Sequence, residues 1–312
     1  MSSLSQAKKL MQKQFIAAAL QSGADPMGDL VFVDSANGSD GWDGHDPLKP
    51  KLTIGGAVAV AGAGDTILAR GLTFDEAVVV AVAGLKIIGV GSTTHRCLWD
   101  CTTADAVCLT INGVADCVVE NIRFRPPAYS SSTPAAISLV AGAYQTAIRG
   151  CRFQGKTSSY YGIKSGANAN VHIEGCEFQY LNNVTTVNGT AIYTGTADCS
   201  GWYLKGNTFE SNIINVDAQL RQAMITDNIF CGGGLAAAGT MSATLTTKIL
   251  DISGAASGYN IVTRNFMGGL YHADGGLYGN GTGDCWSGNH ASDRTHTGQV
   301  DATTGITITY PS

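Results

Sequence analysis

One short frame recurs along the middle of this chain, and its geometry limits the fold more than any other feature. It is clearest in Val171-His172-Ile173-Glu174-Gly175-Cys176-Glu177-Phe178. Aligned on that terminal Phe, further copies end at Phe124, Phe153, Phe209, Phe230 and Phe266. Five residues before each Phe stands a large aliphatic: Val119, Ile148, Ile173, Leu204, Ile225 and Ile261. Seven before it stand Cys117, Thr146, Val171, Trp202, Ala223 and Tyr259, which are mostly apolar. Apolar residues two apart mark a strand with one buried face. Two before each Phe come Ile122, Cys151, Cys176, Asn207, Asn228 and Arg264. Gly150, Gly175 and Gly206 precede that position in three copies, and Gly permits a sharp bend with φ > 0.

The Phe anchors are 29, 25, 31, 21 and 36 residues apart. A constant core with variable connections is the signature of a stacked solenoid whose insertions lie in outer loops. The unit is too short for a propeller blade and has no helical period, which leaves an all-β parallel β-helix. Each strand then pairs with its equivalent one coil away at about 4.8 Å. The six Phe should form one aromatic column, and Asn207 and Asn228 a short amide ladder. Four residues before the Phe, Glu120, Arg149, Glu174 and Lys205 alternate in sign. Alternating charges attract at strand spacing, whereas like charges repel, so the register is self-consistent.

Composition narrows the classes. The net charge is −5 and no basic patch is visible, which argues against a nucleic-acid partner. No run approaches the length of a membrane span. Nine cysteines at irregular spacing form no even set, so buried free thiols are expected, as in a chain folded in a cytoplasm. Residues 4–21 read as an amphipathic helix with Leu4, Met11 and Phe15 on one side. It would cap the solenoid or dock the protein to a larger assembly. The apolar run Phe15–Leu20 is short for a signal peptide.

Residues 30–90 carry a further pattern: Leu30-Val31-Phe32-Val33-Asp34, a Gly/Asp loop over 38–44, Pro47, Pro50, Leu52-Thr53-Ile54, the Ala-rich 57–61, then Gly64-Asp65-Thr66-Ile67-Leu68 and Gly71. This resembles the opening coil of the pectate-lyase-like right-handed parallel β-helix superfamily. The resemblance covers about 60 residues, and the Phe repeat extends it to about Phe266. It implies a right-handed β-helix over 29–267; the residue pattern adds an N-terminal helical segment over 1–28 and, where the composition shifts, an irregular C-terminal extension over 268–312 ending in a strand. It implies no single activity, because the superfamily holds lyases, hydrolases, epimerases and non-enzymes.

Candidate sites follow. Asp34, Asp40 and Asp43 could hold calcium through oxygen ligands, or bond their own turn; no other cofactor is expected. Glu120 and Glu174 would lie two coils apart, near the upper separation for an inverting glycosidase pair. Arg149 between them should keep both ionised, which a general acid cannot tolerate. Arg149, His172, Tyr203 and Lys205 are the candidate glycan contacts on that face. The chain also resembles phage appendages and capsid-bound spikes. That resemblance implies a homotrimeric virion structural protein assembled in the host cytoplasm, joined to other virion proteins through its N-terminal helix and with a flank that could bind a host-surface glycan. The alternative is a polysaccharide lyase or glycoside hydrolase.

Overall fold

A computed structural model describes residues 28–71, 73–91, 97–156, 159–181, 189–232, 248–269, 278–279, 281–293, 297–302 and 306–309. The expected N-terminal helix, with Leu4, Met11 and Phe15, lies outside the described residues.

The chain is a parallel β-helix with three strands per regular coil. The first sheet runs from Leu30–Asp34 through Thr66–Arg70, Lys86–Gly89, Val118–Glu120, Ala147–Arg149, His172–Glu174, Tyr203–Lys205 and Met224–Thr226 to Ile261–Thr263. The second runs from Cys97–Asp100 through Ile122–Arg125, Arg152–Gln154, Glu177–Gln179, Thr208–Glu210 and Ile229–Gly232 to Phe266–Gly269. The third stacks Val78–Val80, Val107–Ile111, Ala135–Leu139, Tyr161–Ser165, Thr190–Tyr193, Ile214–Asp217, Lys248–Asp251 and Tyr278–Gly279. Strand Cys285–Asp293 pairs with both Ile261–Thr263 and Phe266–Gly269. The parallel stack therefore continues past residue 268, and two antiparallel strands, Thr297–Ala302 and Ile306–Thr309, follow it.

The frame sets this geometry. Its aliphatic position forms an inward column from Val119 through Ile148, Ile173, Leu204 and Ile225 to Val262, each at most 1 % exposed. The chain then turns a corner at a residue with φ near +60°: Asn121, Gly150, Gly175, Gly206, Asp227, Arg264 and Gly288. Asn and Asp tolerate this region better than most residues. Arg264 does not share that tolerance, and two hydrogen bonds to Asp227 at 2.8 and 2.9 Å hold it.

Beyond the corner the rings of Phe124, Phe153, Phe178, Phe209 and Phe230 stack with centroids 4.6–5.4 Å apart. Trp99 extends the column at one end, 5.5 Å from Phe124. The sixth copy departs from expectation. Phe266 is 42 % exposed and pairs with Ile229, while Met267 pairs with Phe230 and is buried. Ile261 likewise faces outward and Val262 inward. The last copy is shifted by one residue, which in a strand exchanges inside for outside.

The cause is visible at the corner. The residue after the corner must cap the coil, and there the structure places Asn265 rather than the aligned Arg264. Asn207, Asn228, Asn265 and Asn289 form a buried ladder. Each Oδ1 accepts the backbone N–H of the preceding coil, from Cys176, Asn207, Asn228 and Asn265, at 2.9–3.0 Å. Each Nδ2 donates to a carbonyl of the preceding coil: Ile173, Leu204, Ile225 and Val262. In earlier coils Cys151 and Cys176 direct their thiols to the equivalent carbonyls of Val119 and Ile148, at 3.6 and 3.5 Å. Seven of the nine cysteines are buried and all are free, as the odd, irregular set suggested.

Candidate functional site

Three outward faces carry chemistry. The third sheet is the richest. Its outward row runs through Ser138, Lys164, Tyr193, Asp217 and Asp251, each in register with the next. A loop contact brings Tyr129 over Tyr160 at 5.3 Å, stacked. Tyr160 meets Tyr161 edge-on at 4.5 Å, and Tyr161 stacks on Tyr193 at 4.5 Å. Lys164 Nζ lies 5.9 Å from the Tyr161 ring and donates to Thr133 Oγ1 at 2.9 Å. The result is a continuous strip of four half-buried or buried rings with a cation beside it. Burial, with Tyr193 and Tyr160 alongside, pushes the Tyr161 hydroxyl up, so it stays protonated.

In the next coils of that face two carboxylates share one ammonium. Lys248 Nζ lies 3.3 Å from Asp217 Oδ2 and 2.8 Å from Asp251 Oδ2. Burial alone would raise the Asp251 carboxyl, but the bonds from Lys248 and Ser253 outweigh it and hold it below the usual range. Burial would lower Lys248, and its two carboxylate partners outweigh that and raise it. Asp251 is therefore ionised at neutral pH and lacks the proton a general acid needs. The Lys248 ammonium also bridges the two acids, where an inverting pair leaves room for a water.

The first sheet brings together the predicted row. Glu120, Arg149, Glu174 and Lys205 stand in register on successive coils, with His172 and Tyr203 beside them. Arg149 Nε lies 3.5 Å from Glu174 Oε2, and His172 Nδ1 lies 3.7 Å from Glu174 Oε1. His172 meets the Tyr203 ring edge-on at 5.7 Å, and Lys205 lies over the same ring. One expectation fails here. Burial raises the Glu120 carboxyl, and the pull of Arg149 is too weak to reverse it.

The sequence matches no protein-family model and no curated protein. Solved structures do match. A lacto-N-biosidase from Eubacterium ramulus superposes with TM-score 0.57 at 12 % identity, over 86 % of this chain. This chain spans 57 % of the biosidase's length. A pectate lyase from Bacillus sp. N165, solved in complex with trigalacturonate, gives TM-score 0.52 at 13 % identity, over 95 % of this chain and 92 % of the lyase. This is the pectate-lyase-like parallel β-helix fold. At such identities the likeness concerns architecture alone.

The opening loop of this β-helix does not gather its carboxylates. Asp34 accepts the N–H groups of Ala36 and Asn37 and faces Arg70 at 3.7 Å. Asp40 accepts from Leu52 N, Thr53 N and Thr53 Oγ1. Asp43 accepts from His45 N. Asp34 and Asp43 bond their own turns, whereas Asp40 bonds residues 12 and 13 positions on, at the start of the short helix. Among the described residues no group of three His, Cys, Asp or Glu side chains is placed to hold a metal ion. Glu76 has a similar structural part, accepting from Ile54 N and Gly55 N at the start of the short helix Ile54–Val58.

The tyrosine strip and the Asp217–Lys248–Asp251 cluster were not singled out from sequence. The adjacent Tyr160-Tyr161 pair was the one visible signal. The rest depends on register between third-sheet strands, which share no motif. Among the described residues no helix is long and apolar enough to cross a membrane.

Proposed function

We propose that the protein is a glycan-recognising β-helix whose binding surface is the outward face of the third sheet. The observation that carries this is the strip of Tyr129, Tyr160, Tyr161 and Tyr193 with Lys164 beside it. Tyrosine offers broad, rigid, amphipathic contact area with few rotors to immobilise, and sugars present both apolar C–H faces and hydroxyls. Lys164, Asp217, Asp251 and Lys248 supply the few polar groups that orient such a ligand. Two solved structures with this fold, a lacto-N-biosidase and a pectate lyase holding trigalacturonate, favour a carbohydrate ligand over a purely structural role in a virion. The test is calorimetric titration with a panel of neutral and acidic oligosaccharides. Tyr193→Ala should weaken the best ligand at least tenfold. A panel that yields no binder, or a variant that binds like wild type, refutes the reading.

A second reading is glycoside hydrolysis on the first sheet. The raised Glu120 carboxyl favours it, with Glu174 ion-paired two strand spacings away, about 9–10 Å. Glu120 would protonate the leaving oxygen and Glu174 would activate water. Arg149, which stands between them, would have to swing aside for substrate. Reducing-end release that Glu120→Gln abolishes supports it, and absorbance from an unsaturated product would indicate a lyase instead. The trimeric, helix-anchored appendage remains a proposal with its own test: native mass of the full chain, and particle attachment after deletion of residues 1–28.

A further inference from the structure

The second sheet has an outward face that neither reading uses. Its rows place Leu98, Arg123, Arg152 and Glu177 on successive strands, and Arg125, Gln154, Gln179 and Glu210 beside them. Arg123 and Arg152 are direct register partners, so two guanidinium-bearing chains leave neighbouring strands about 4.8 Å apart. Like charges directly opposite one another are unfavourable unless something lies between them.

The other cations on this face, Arg125, Arg152 and Lys156, have acid partners. Arg125 Nη1 meets Asp100 Oδ2 at 2.8 Å, and Lys156 reaches the other oxygen of Asp100 and the carbonyl of Cys101. Arg152 donates to Gln179 Oε1 at 2.5 Å, and its Nε lies 3.3 Å from Glu177 Oε2. Gln179 in turn donates to Glu210 at 2.8 Å. Arg123 differs in having no ion pair to an acid. Among the described residues its guanidinium finds one hydrogen-bond partner, the neutral amide oxygen of Gln154, and its Nε, like that of Arg152, is buried with no hydrogen-bond partner. The carboxylate in reach, Asp100, is already shared by Arg125 and Lys156. A half-buried cation is left with unused donors and a second cation beside it. Burial, then the charges of Arg152 and Arg125, accordingly pull the Arg123 guanidinium below its usual range.

We propose that this face carries an oxyanion site centred on Arg123, which takes the carboxylate or sulfate of an acidic glycan. The anion lies between Arg123 and Arg152, accepts the unused fork of Arg123, and removes the like-charge contact. Planar guanidinium forks match such oxyanions with two parallel hydrogen bonds, which an ammonium cannot do. The glycan part rests on the function proposed above, whereas the anion site stands on the arginine geometry alone.

The experiment titrates the full chain with four probes: oligogalacturonate (carboxylated), a carrageenan oligosaccharide (sulfated), cellohexaose (neutral) and sodium sulfate. One acidic oligosaccharide should bind, with affinity falling as salt rises. Arg123→Gln should weaken it at least tenfold and flatten the salt dependence, while any ligand lost on Tyr193→Ala keeps its affinity. Arg123→Lys retains the charge without the fork and should fall between. The Gln variant should melt no lower than wild type, because it loses an orphaned donor. An acidic ligand that binds both proteins equally overturns the site. Neutral ligands binding while acidic ones do not overturns the site and spares the proposed function. Sodium sulfate alone competing for Arg123, with no acidic glycan bound, overturns the glycan assignment.

Discussion

Replacing Asn228 with alanine removes the middle rung of the corner ladder. In the wild type, Asn228 Oδ1 accepts from Asn207 N at 2.9 Å and Asn207 Nδ2 at 3.0 Å. Its own Nδ2 donates to Leu204 O at 3.0 Å and Asn265 Oδ1 at 2.9 Å. The backbone N–H of residue 228 still reaches Asn265 Oδ1 in the variant, so that acceptor is not orphaned. Two donors on Asn207 are, in a site where Asn207 is fully buried. At about 1–3 kcal/mol for each buried group left unsatisfied, the loss should be about 2–6 kcal/mol. Urea unfolding followed by both circular dichroism and tryptophan fluorescence measures it, and hydrogen exchange at Asn207 N–H locates it. A loss under about 1 kcal/mol, with that amide still protected, would show that the ladder is not a stabilising element. Asn228→Asp sharpens the test. An aspartate serves at Asp284, which accepts from Asn260 N, Asn260 Nδ2 and Gly281 N and needs to donate nothing. At position 228 it could not donate to Leu204 O and would face Asn265 Oδ1. Burial would raise its folded pKa above the unfolded value, so the penalty grows as pH rises through that range and shrinks below it.

Further outcomes follow from the same geometry. Phe178→Ala and Met267→Ala should cost about 3–5 and 2–5 kcal/mol, whereas Phe266→Ser should stay within about 0.5 kcal/mol; a large loss at Phe266 would restore the unshifted sixth copy. Asp251→Asn should destabilise at neutral pH. Because the folded Asp251 pKa is lowered, its contribution is present above the unfolded carboxylate value and vanishes as pH falls through the folded one, so the two melting curves should converge in acid. Thiol titration of the native protein should find Cys285 fast, Cys231 slower and the seven buried cysteines unreactive until unfolding; uniform reactivity would contradict the packing.

The coil was legible in sequence because inward positions repeat with a fixed spacing across the corner. Val119 to Phe124 and its equivalents contain every element of one strand, one bend and the next strand. The sixth copy misled because alignment followed Phe266, an aromatic on the solvent side, instead of Asn265, whose amide the corner requires. Hydrogen-bonding need is a stricter guide than ring identity at such a position, since Met267 fills the aromatic column without being aromatic. The first-sheet row was readable for the same reason as the core. The tyrosine strip was not, because Tyr129, Tyr160 and Tyr193 come from separate loops and strands whose register no motif reports. The Arg149 argument erred by weighing a neighbouring charge and leaving out burial at Glu120.

The corner ladder has a direction. Asn207, Asn228 and Asn265 each turn the oxygen back to the winding before and a second hydrogen onward to the winding after. A winding of this type can therefore be duplicated or excised whole without creating a new kind of junction: if the 21 residues from Asn207 to Asp227 were removed, Asn228 would present to Cys176 the same oxygen that Asn207 presents now. The length of such a molecule is a quantity that inheritance can adjust in whole steps.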